Sequence, residues 1–566
     1  MSLAVRIALL RPLARHDPLR YGPRLAEALV TRSHQVSGLP GSTARRTASA
    51  EEAVALYRRL ERDQPGRHLA GLARALVAQA TVPDGHTVAS AMAQGREAIG
   101  YVQDAGDREA LLVLAEARRL VATSLHATGA VREALRLALS AQATWRRCAP
   151  VRAAERMGLA RTLIAIGDCQ GALGRPEEAL AAHQAAMNLY RELSMHKQSR
   201  WRLTGQVAAA GLAESLTAVG RWEDALALAE EFRGDLETWF WLRLQSLQAR
   251  SMLGRLLRTV AYCREALGEP DAALRAAEEA VDHQRWLVEN GLAGSRSDLA
   301  AALRTYGGLL LRSGEPEAGA DRVAEAVETA RGASDAELAW ALIALAVARM
   351  SAGQWDEVEP LLDELVPVCR RRADELPEVF QPLLVRGLAM VVAMTAFDLP
   401  AVDGRPAAPL LDRVAGLDGV TAGREAVALA RQLAEADPRH RELLGHALFG
   451  LERAVNRTGD VREAAELLRE CVALRRELFA EDPAAHRSDL AQALGNLGNR
   501  LHALGRLAEA LPAHEESVAL IRAADSGLPP AEAVAPLRNL ARTLAALGRP
   551  EEAERIAAKA ETPAET

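Results

Sequence analysis

The chain is nearly devoid of lysine. Lys197 and Lys559 are the two it has in 566 residues, and arginine supplies the rest of its positive charge, a bias that a GC-rich genome accounts for. Aromatic residues make up only 4%, while Ala, Leu, Arg and Glu dominate. That mixture favours helix and disfavours sheet. The formal charge of -6 argues against a general nucleic-acid binder. Cys148, Cys169, Cys263, Cys369 and Cys471 are far apart, odd in number and without metal or redox spacing. They fit a reduced, cytoplasmic compartment. Long hydrophobic runs are missing too. The most apolar stretch, Gly387 to Phe397, is too short to cross a bilayer, and the N-terminal apolar stretch contains arginine, unlike a signal peptide. No membrane partner is expected.

Catalytic signatures are equally scarce. HExxH, GxSxG and GxxxxGK[ST] do not occur, and GSTARRT at Gly41 has no phosphate-loop lysine. His440 and His446 are six apart, which is wrong for one helix face. Neither a metal nor a cofactor is expected, and the chain reads as no enzyme, although an active site assembled from scattered residues stays open.

What the sequence does have is a repeat. The octapeptide LGRLAEAL at Leu504 recurs as TGAVREAL at Thr128, LGRPEEAL at Leu173, VGRWEDAL at Val219, LGEPDAAL at Leu267, SGEPEAGA at Ser313, TGDVREAA at Thr458 and LGRPEEAE at Leu547. AGQWDEVE at Ala352 is a looser copy. The turn glycines are Gly129, Gly174, Gly220, Gly268, Gly314, Gly353, Gly459, Gly505 and Gly548. Most gaps are 43 to 48 residues, one is 39, and Gly353 to Gly459 spans two periods. Glycine accepts the left-handed conformation that ends a helix. Proline two residues later suits the first turn of the next helix, and Glu-Glu meets its positive end. Upstream, Leu490, Leu494, Leu497, Leu501 and Leu504 make one helix face. The unit is helix, tight turn, helix. One such unit cannot bury enough to fold alone, so neighbours must stack.

A second echo extends the array. Leu13 to Leu29 aligns without gaps on Leu478 to Leu494, with Asp-Pro and Leu-Ala-x-Ala-Leu in register. The sequence therefore divides into degenerate helix pairs over 1–100, a main array over 101–395, an irregular Pro/Gly/Asp-rich joint over 396–423, and a second array over 424–566.

These residues resemble the tetratricopeptide repeat. That family places large apolar residues eleven, eight and four positions before the turn, and small ones seven before and five after. Around Gly505 these are Leu494, Leu497, Leu501, Gly498 and Ala510; around Gly548 they are Leu537, Leu540, Leu544, Ala541 and Ala553. Around Gly174, Gln170 takes the third apolar place. The period exceeds the family's usual 34 or so residues, so the chain looks more like the long-period arrays of kinesin light chains and actinobacterial proteins. The resemblance implies an all-α, right-handed superhelical solenoid of antiparallel helix pairs, ten to twelve units long.

It also implies a concave groove lined by first helices. Positions ten, nine, six and three before each turn would face it. In the last three units these include Arg453 and Asn456; Asn496, Asn499 and His502; and Arg538, Asn539 and Arg542. Asparagine amides can pair a peptide backbone, and arginine can hold a carboxylate. Trp239 and Trp241 point about 200° apart on a helix, which suits either an aromatic patch for a partner or packing between long helices. His183 and His514 each stand nine residues after a turn glycine, which marks a repeat slot, not a ligand pair. The expectation is a scaffold that binds protein or peptide. A ligand-responsive sensor acting in trans and an enzyme of unfamiliar type on a helical scaffold are the alternatives, and homo-oligomerisation stays open.

Overall fold

The computed structural model describes residues 2–34, 42–82, 87–194, 202–241, 247–292, 294–396, 411–523 and 534–561. Among them are 25 α-helices and no strand, with one isolated bridge between Val414 and Leu417. Two compact units divide at Ser334/Asp335.

In the first unit α1 (Leu3–His16) precedes seven antiparallel pairs: α2 (Pro18–Ser33) with α3 (Ser42–Asp63), α4 (Leu69–Ala80) with α5 (Val88–Val102), α6 (Arg108–Ala127) with α7 (Val131–Cys148), α8 (Ala153–Ala172) with α9 (Pro176–Ser194), α10 (Arg202–Ala218) with α11 (Trp222–Trp241), α12 (Leu247–Ala266) with α13 (Pro270–Glu289), and α14 (Ser295–Arg312) with α15 (Pro316–Ala330). The second unit pairs α16 (Asp335–Ser351) with α17 (Val358–Ala373), α18 (Pro377–Ala396) with α19 (Gly419–Ala436), α20 (Arg441–Arg457) with α21 (Val461–Glu481), α22 (Pro483–Ala503) with α23 (Leu507–Arg522), and α24 (Val534–Ala546) with α25 (Pro550–Glu561).

The joints are built as their composition predicts. All nine turn glycines have φ between 65° and 91°. At Gly505 the amide of Arg506 donates to the Leu501 carbonyl and that of Gly505 to the His502 carbonyl, both at 2.9 Å. This double bond closes the helix end and needs a left-handed residue between. The Asp-Pro echo is equally local. Asp17 and Asp482 cap α2 and α22, each accepting backbone amides of the first turn, with proline at the first helical position.

Within each unit the first helices pack on one another from pair to pair: α4, α6, α8, α10, α12 and α14 in the first, α16, α18 and α20, then α22 and α24, in the second. Among the described residues second helices make no comparable contact, so each stack bends toward its first helices. Leu490, Leu494, Leu497 and Leu501 are buried as one stripe. The small residues do more than let backbones approach. A Cβ on Gly498 would lie 2.5 Å from the His514 ring, and one on Gly167 would lie 2.5 Å from that of His183. At these two turns the slot nine residues on sends an imidazole under the first helix, and glycine leaves its room.

On the outer side the splayed second helices are linked by arginine–glutamate rungs. Arg58 reaches Glu97 at 3.0 Å and Arg285 reaches Glu325 at 2.7 Å in the first unit. Arg424–Glu463, Arg431–Glu470, Arg469–Glu509 and Arg476–Glu516 do the same in the second. Each exposed pair contributes at most about 1 kcal/mol, but a planar guanidinium spans such gaps with two-point geometry that lysine lacks.

Around the run expected as a joint over 396–423, α18 packs on α19 and α20, and residues 397–410 lie outside the described residues. The two compact units meet in sequence after the short Arg331–Ser334 link. One expectation changes: the apolar residues 387–396 are part of a longer helix. α18 has 20 residues with mean hydropathy 1.6, enough by length and composition to cross a bilayer. It is packed by α16, α17, α19 and α20, which is the setting of a core helix apolar on all sides.

Gly498→Ala should destabilise the second unit by about 1 to 3 kcal/mol, and His514→Ala in the same chain should recover part of that loss; a double-mutant cycle in urea reads the coupling. His514 also predicts a pH dependence. Burial, with Arg542 and His502 nearby, lowers its imidazole to about 4, and neither ring nitrogen has a hydrogen-bond partner among the described residues. The fold holds it neutral while the unfolded chain protonates it near 6.5. Stability present above about 6.5 should therefore fall by about 3 kcal/mol as pH drops toward 4. His514→Phe should remove that part of the slope in denaturation curves at pH 7, 5 and 4.

Candidate functional site

The inner face of the second unit holds the residues singled out from the sequence. Arg453 and Asn456 lie on α20, Asn496, Asn499 and His502 on α22, and Arg538, Asn539 and Arg542 on α24. Some of them face each other. Arg542 donates to the Asn499 carboxamide oxygen at 2.7 Å, and His502 Nδ1 lies 3.1 Å from the Thr543 hydroxyl. These contacts are rungs between α22 and α24, so the Asn499 oxygen is engaged within the chain. Asn456, Asn496 and Asn539 are half-buried, and Arg538 is exposed. Beside them Glu452 is fully buried, with Oε1 2.7 Å from Arg500 Nε and Oε2 without a hydrogen-bond partner among the described residues. Burial raises its carboxyl above the usual range despite Arg500 and Arg453. Trp239 and Trp241 close α11, and their side chains lie outside the described residues.

The first unit carries a denser constellation, which the same offset rule finds when applied to its own turns. Arg119 stands ten before Gly129, Asp168 six before Gly174, Glu214 six before Gly220 and Arg258 ten before Gly268. Glu116, Arg161 and Arg255 stand one helical turn further back, at thirteen. The rule as taken from the family does not reach that far, and none of these seven residues was singled out from the sequence.

The side chains gather into two clusters on consecutive first helices. On α6 and α8, Glu116 accepts from Arg119 at 2.8 Å and is also attracted by Arg161, whose Nε reaches the Thr204 hydroxyl at 3.4 Å. On α10 and α12, Glu214 accepts from Arg255 and from Arg258, each at 3.0 Å. Between them lies Asp168, with Oδ1 3.3 Å from His183 Nε2; His183 Nδ1 is 2.9 Å from the Ser215 hydroxyl. Ala210 and Gly211 on α10, ten and nine before their turn, are buried, and a Cβ on Gly211 would strike the His183 ring.

The electrostatics describe an indentation. Burial pushes the Asp168 carboxyl up, yet His183 and Arg255 outweigh it and hold it below the usual range. Burial likewise raises Glu214, and Arg255 with Arg258 reverse the shift. Burial lowers the Arg161 guanidinium, which Glu116 only partly offsets. Water still reaches these groups: 32% of the Asp168 side chain and 28% of that of Glu214 are exposed. Charges crowded by protein but open to solvent line a trough. By contrast, an outer groove of about 500 Å³ among α21, α22 and α23 is lined by Leu494, Leu497 and Leu501, which belong to the core stripe, and by the rungs Arg469–Glu509 and Arg476–Glu516.

The tetratricopeptide repeat family pattern matches residues 489–562, which are α22 to α25 and their joints. The last two helix pairs carry tetratricopeptide repeats. No curated relative matches the sequence. Solved structures similar to it include BtubC (BKLC) from P. vanneervenii, 17% identical over 44% of this chain and 92% of that one, with a TM-score of 0.32. A Rap protein complexed with competence and sporulation factor is 11% identical over 80% and 99%, at 0.44, and the apo form of RapI is 9% identical over 73% and 98%, at 0.43.

In this repeat array the buried pair Glu452–Arg500 makes a sharp prediction. Glu452→Ala leaves Arg500 without its carboxylate and should cost about 3 to 5 kcal/mol, whereas Glu452→Leu with Arg500→Met should cost far less or nothing. Chemical denaturation of the three proteins decides it.

Proposed function

We propose that the chain is a helical-repeat scaffold that captures an extended segment of another protein, or a peptide, along the inner face of its first helices. The proposed place of action is the cytoplasm, which the widely spaced, unpaired cysteines favour. The observation that carries the reading is the trough of the first unit, where charged groups from α6, α8, α10 and α12 are crowded by protein yet open to water. Such groups are positioned in advance, so a bound segment meets donors and acceptors whose ordering cost is already met. The polar rungs of the second unit supply a second, weaker surface of the same kind.

The test is capture from the native host on immobilised chain, followed by mass spectrometry. A specific partner should be retained and should be lost with Arg161→Gln plus Arg258→Gln, at unchanged helical content. Asn499→Ala plus Arg542→Glu should reduce retention less. Retention that ignores both double variants sinks the trough as the binding surface.

A further inference from the structure

At the N-terminal end of the first unit one helix is apolar on every side. Ile7 and Ala14 of α1 are buried, with Leu3 and Leu10 packed beside them. The opposite face, Ala4, Val5, Ala8, Leu9, Pro12 and Leu13, is exposed. Of nine exposed large apolar side chains among the described residues, Val5, Leu9, Leu13 and Leu19 fall at this one end. A helix of that kind belongs under cover on both sides. The Asp-Pro echo says which cover is absent. It sets α1 in register with α21, and the structure repeats the match: Arg11 Nε reaches Glu52 on α3 at 3.1 Å, as Arg476 Nε reaches Glu516 on α23 at 3.1 Å. In the matching place α20 lies on α21, where the Cys471 thiol donates to the Gly445 carbonyl at 3.5 Å and Arg475 stacks on Phe449. Leu478 there is 8% exposed, whereas Leu13, in the same position, is 43% exposed. Fully buried Cys471 corresponds to exposed Arg6. Among the described residues α1 packs on α2 and has no helix in the place of α20, so it stands as a second helix without its first.

We infer that this face seats one amphipathic helix of an acidic partner protein, which lies on α1 as α20 lies on α21. Charge chooses the occupant. α1 carries Arg6, Arg11 and Arg15 and no acid. The acids beside it are spent, Glu52 on Arg11 and Asp17 on the Arg20 amide at the start of α2. The side chains of Arg6 and Arg15 have no hydrogen-bond or ion-pair partner among the described residues. A second copy laid on the same face would bring these cations together with no acid between them, and like charges so placed repel. A bilayer surface takes cations at the polar side of an amphipathic helix. Arg6 instead stands among Leu9, Leu10 and Leu13, at spacings of three, four and seven on one helix face. One carboxylate framed by apolar side chains answers that pattern, because a guanidinium pairs it through two parallel hydrogen bonds. The seat lies on α1, outside the four helices of the trough, and stands or falls independently of the proposed capture there.

The experiment uses the full chain and two labelled leucine–alanine amphipathic peptides of about 18 residues, one with glutamate and one with lysine at its polar positions, read by fluorescence anisotropy. The glutamate peptide should bind at least about tenfold tighter than the lysine peptide and weaken with added salt. Leu9→Gln plus Leu13→Gln, both at exposed positions, should abolish that binding at unchanged helical content. Arg6→Glu should weaken the glutamate peptide and tighten the lysine peptide by about a few-fold, a gain that damage to the fold does not produce. Arg161→Gln plus Arg258→Gln, in the trough, should leave both peptides unaffected, which separates this seat from the trough. Failure of both peptides to bind, or binding that ignores the α1 variants, overturns the seat. Two further controls name the other occupants. A dimer in sedimentation equilibrium that Leu9→Gln plus Leu13→Gln dissolves assigns the face to a second copy. Co-sedimentation with phosphatidylglycerol vesicles, lost in the same variant while neither peptide binds, assigns it to a bilayer. Either result overturns the partner helix.

Discussion

Close approach between successive first helices is the constraint on which the rest of the structure depends. It requires small residues where a second-helix side chain passes beneath, as at Gly167 and Gly211 over His183 and at Gly498 over His514. Once the first helices are close, the second helices must splay, because both sides of a stack cannot be tight at once. The splay creates two surfaces of opposite character. The inner one is crowded, and charges there are partly desolvated and hold each other strongly. The outer one has gaps that long arginine–glutamate rungs span at little net gain.

The same constraint explains why arginine dominates. A biased genome supplies arginine, and the sequence alone offers no reason to look further. The structure shows bidentate contacts on both faces: Arg431 to Glu470 outside, Arg255 to Glu214 inside. A lysine ammonium is a point donor and would meet one oxygen at a time. The bias therefore fits the mechanics of the stack, whatever its origin.

Much of the fold was legible because its determinants are local. A glycine with φ above 65°, a proline at the first helical position and an aspartate cap act within a few residues, so Gly505, Pro483 and Asp482 announce themselves. The Asp-Pro echo at Asp17 works for the same reason. The division at Ser334/Asp335 has no local signal, because it reflects which helices pack together. The site was half legible. Offsets from the turn placed Asn499 and Arg542 on facing helices but could not say that they bond to each other. The first-unit trough needed one further step, the position thirteen before the turn, which supplies Glu116, Arg161 and Arg255.

Ser215, His183 and Asp168 stand in series, and a hydroxyl, an imidazole and a carboxylate are also the parts of a hydrolytic triad. Here their order is inverted with respect to solvent. In a triad the hydroxyl meets the substrate and the carboxylate is buried behind the imidazole. In this chain Ser215 and His183 are buried under α10, and Asp168 is the member open to the trough. The hydroxyl steadies the ring, and the ring holds the carboxylate. The triad-like contact therefore presents a held charge to the trough and keeps its hydroxyl covered, an arrangement that suits the proposed capture of a segment.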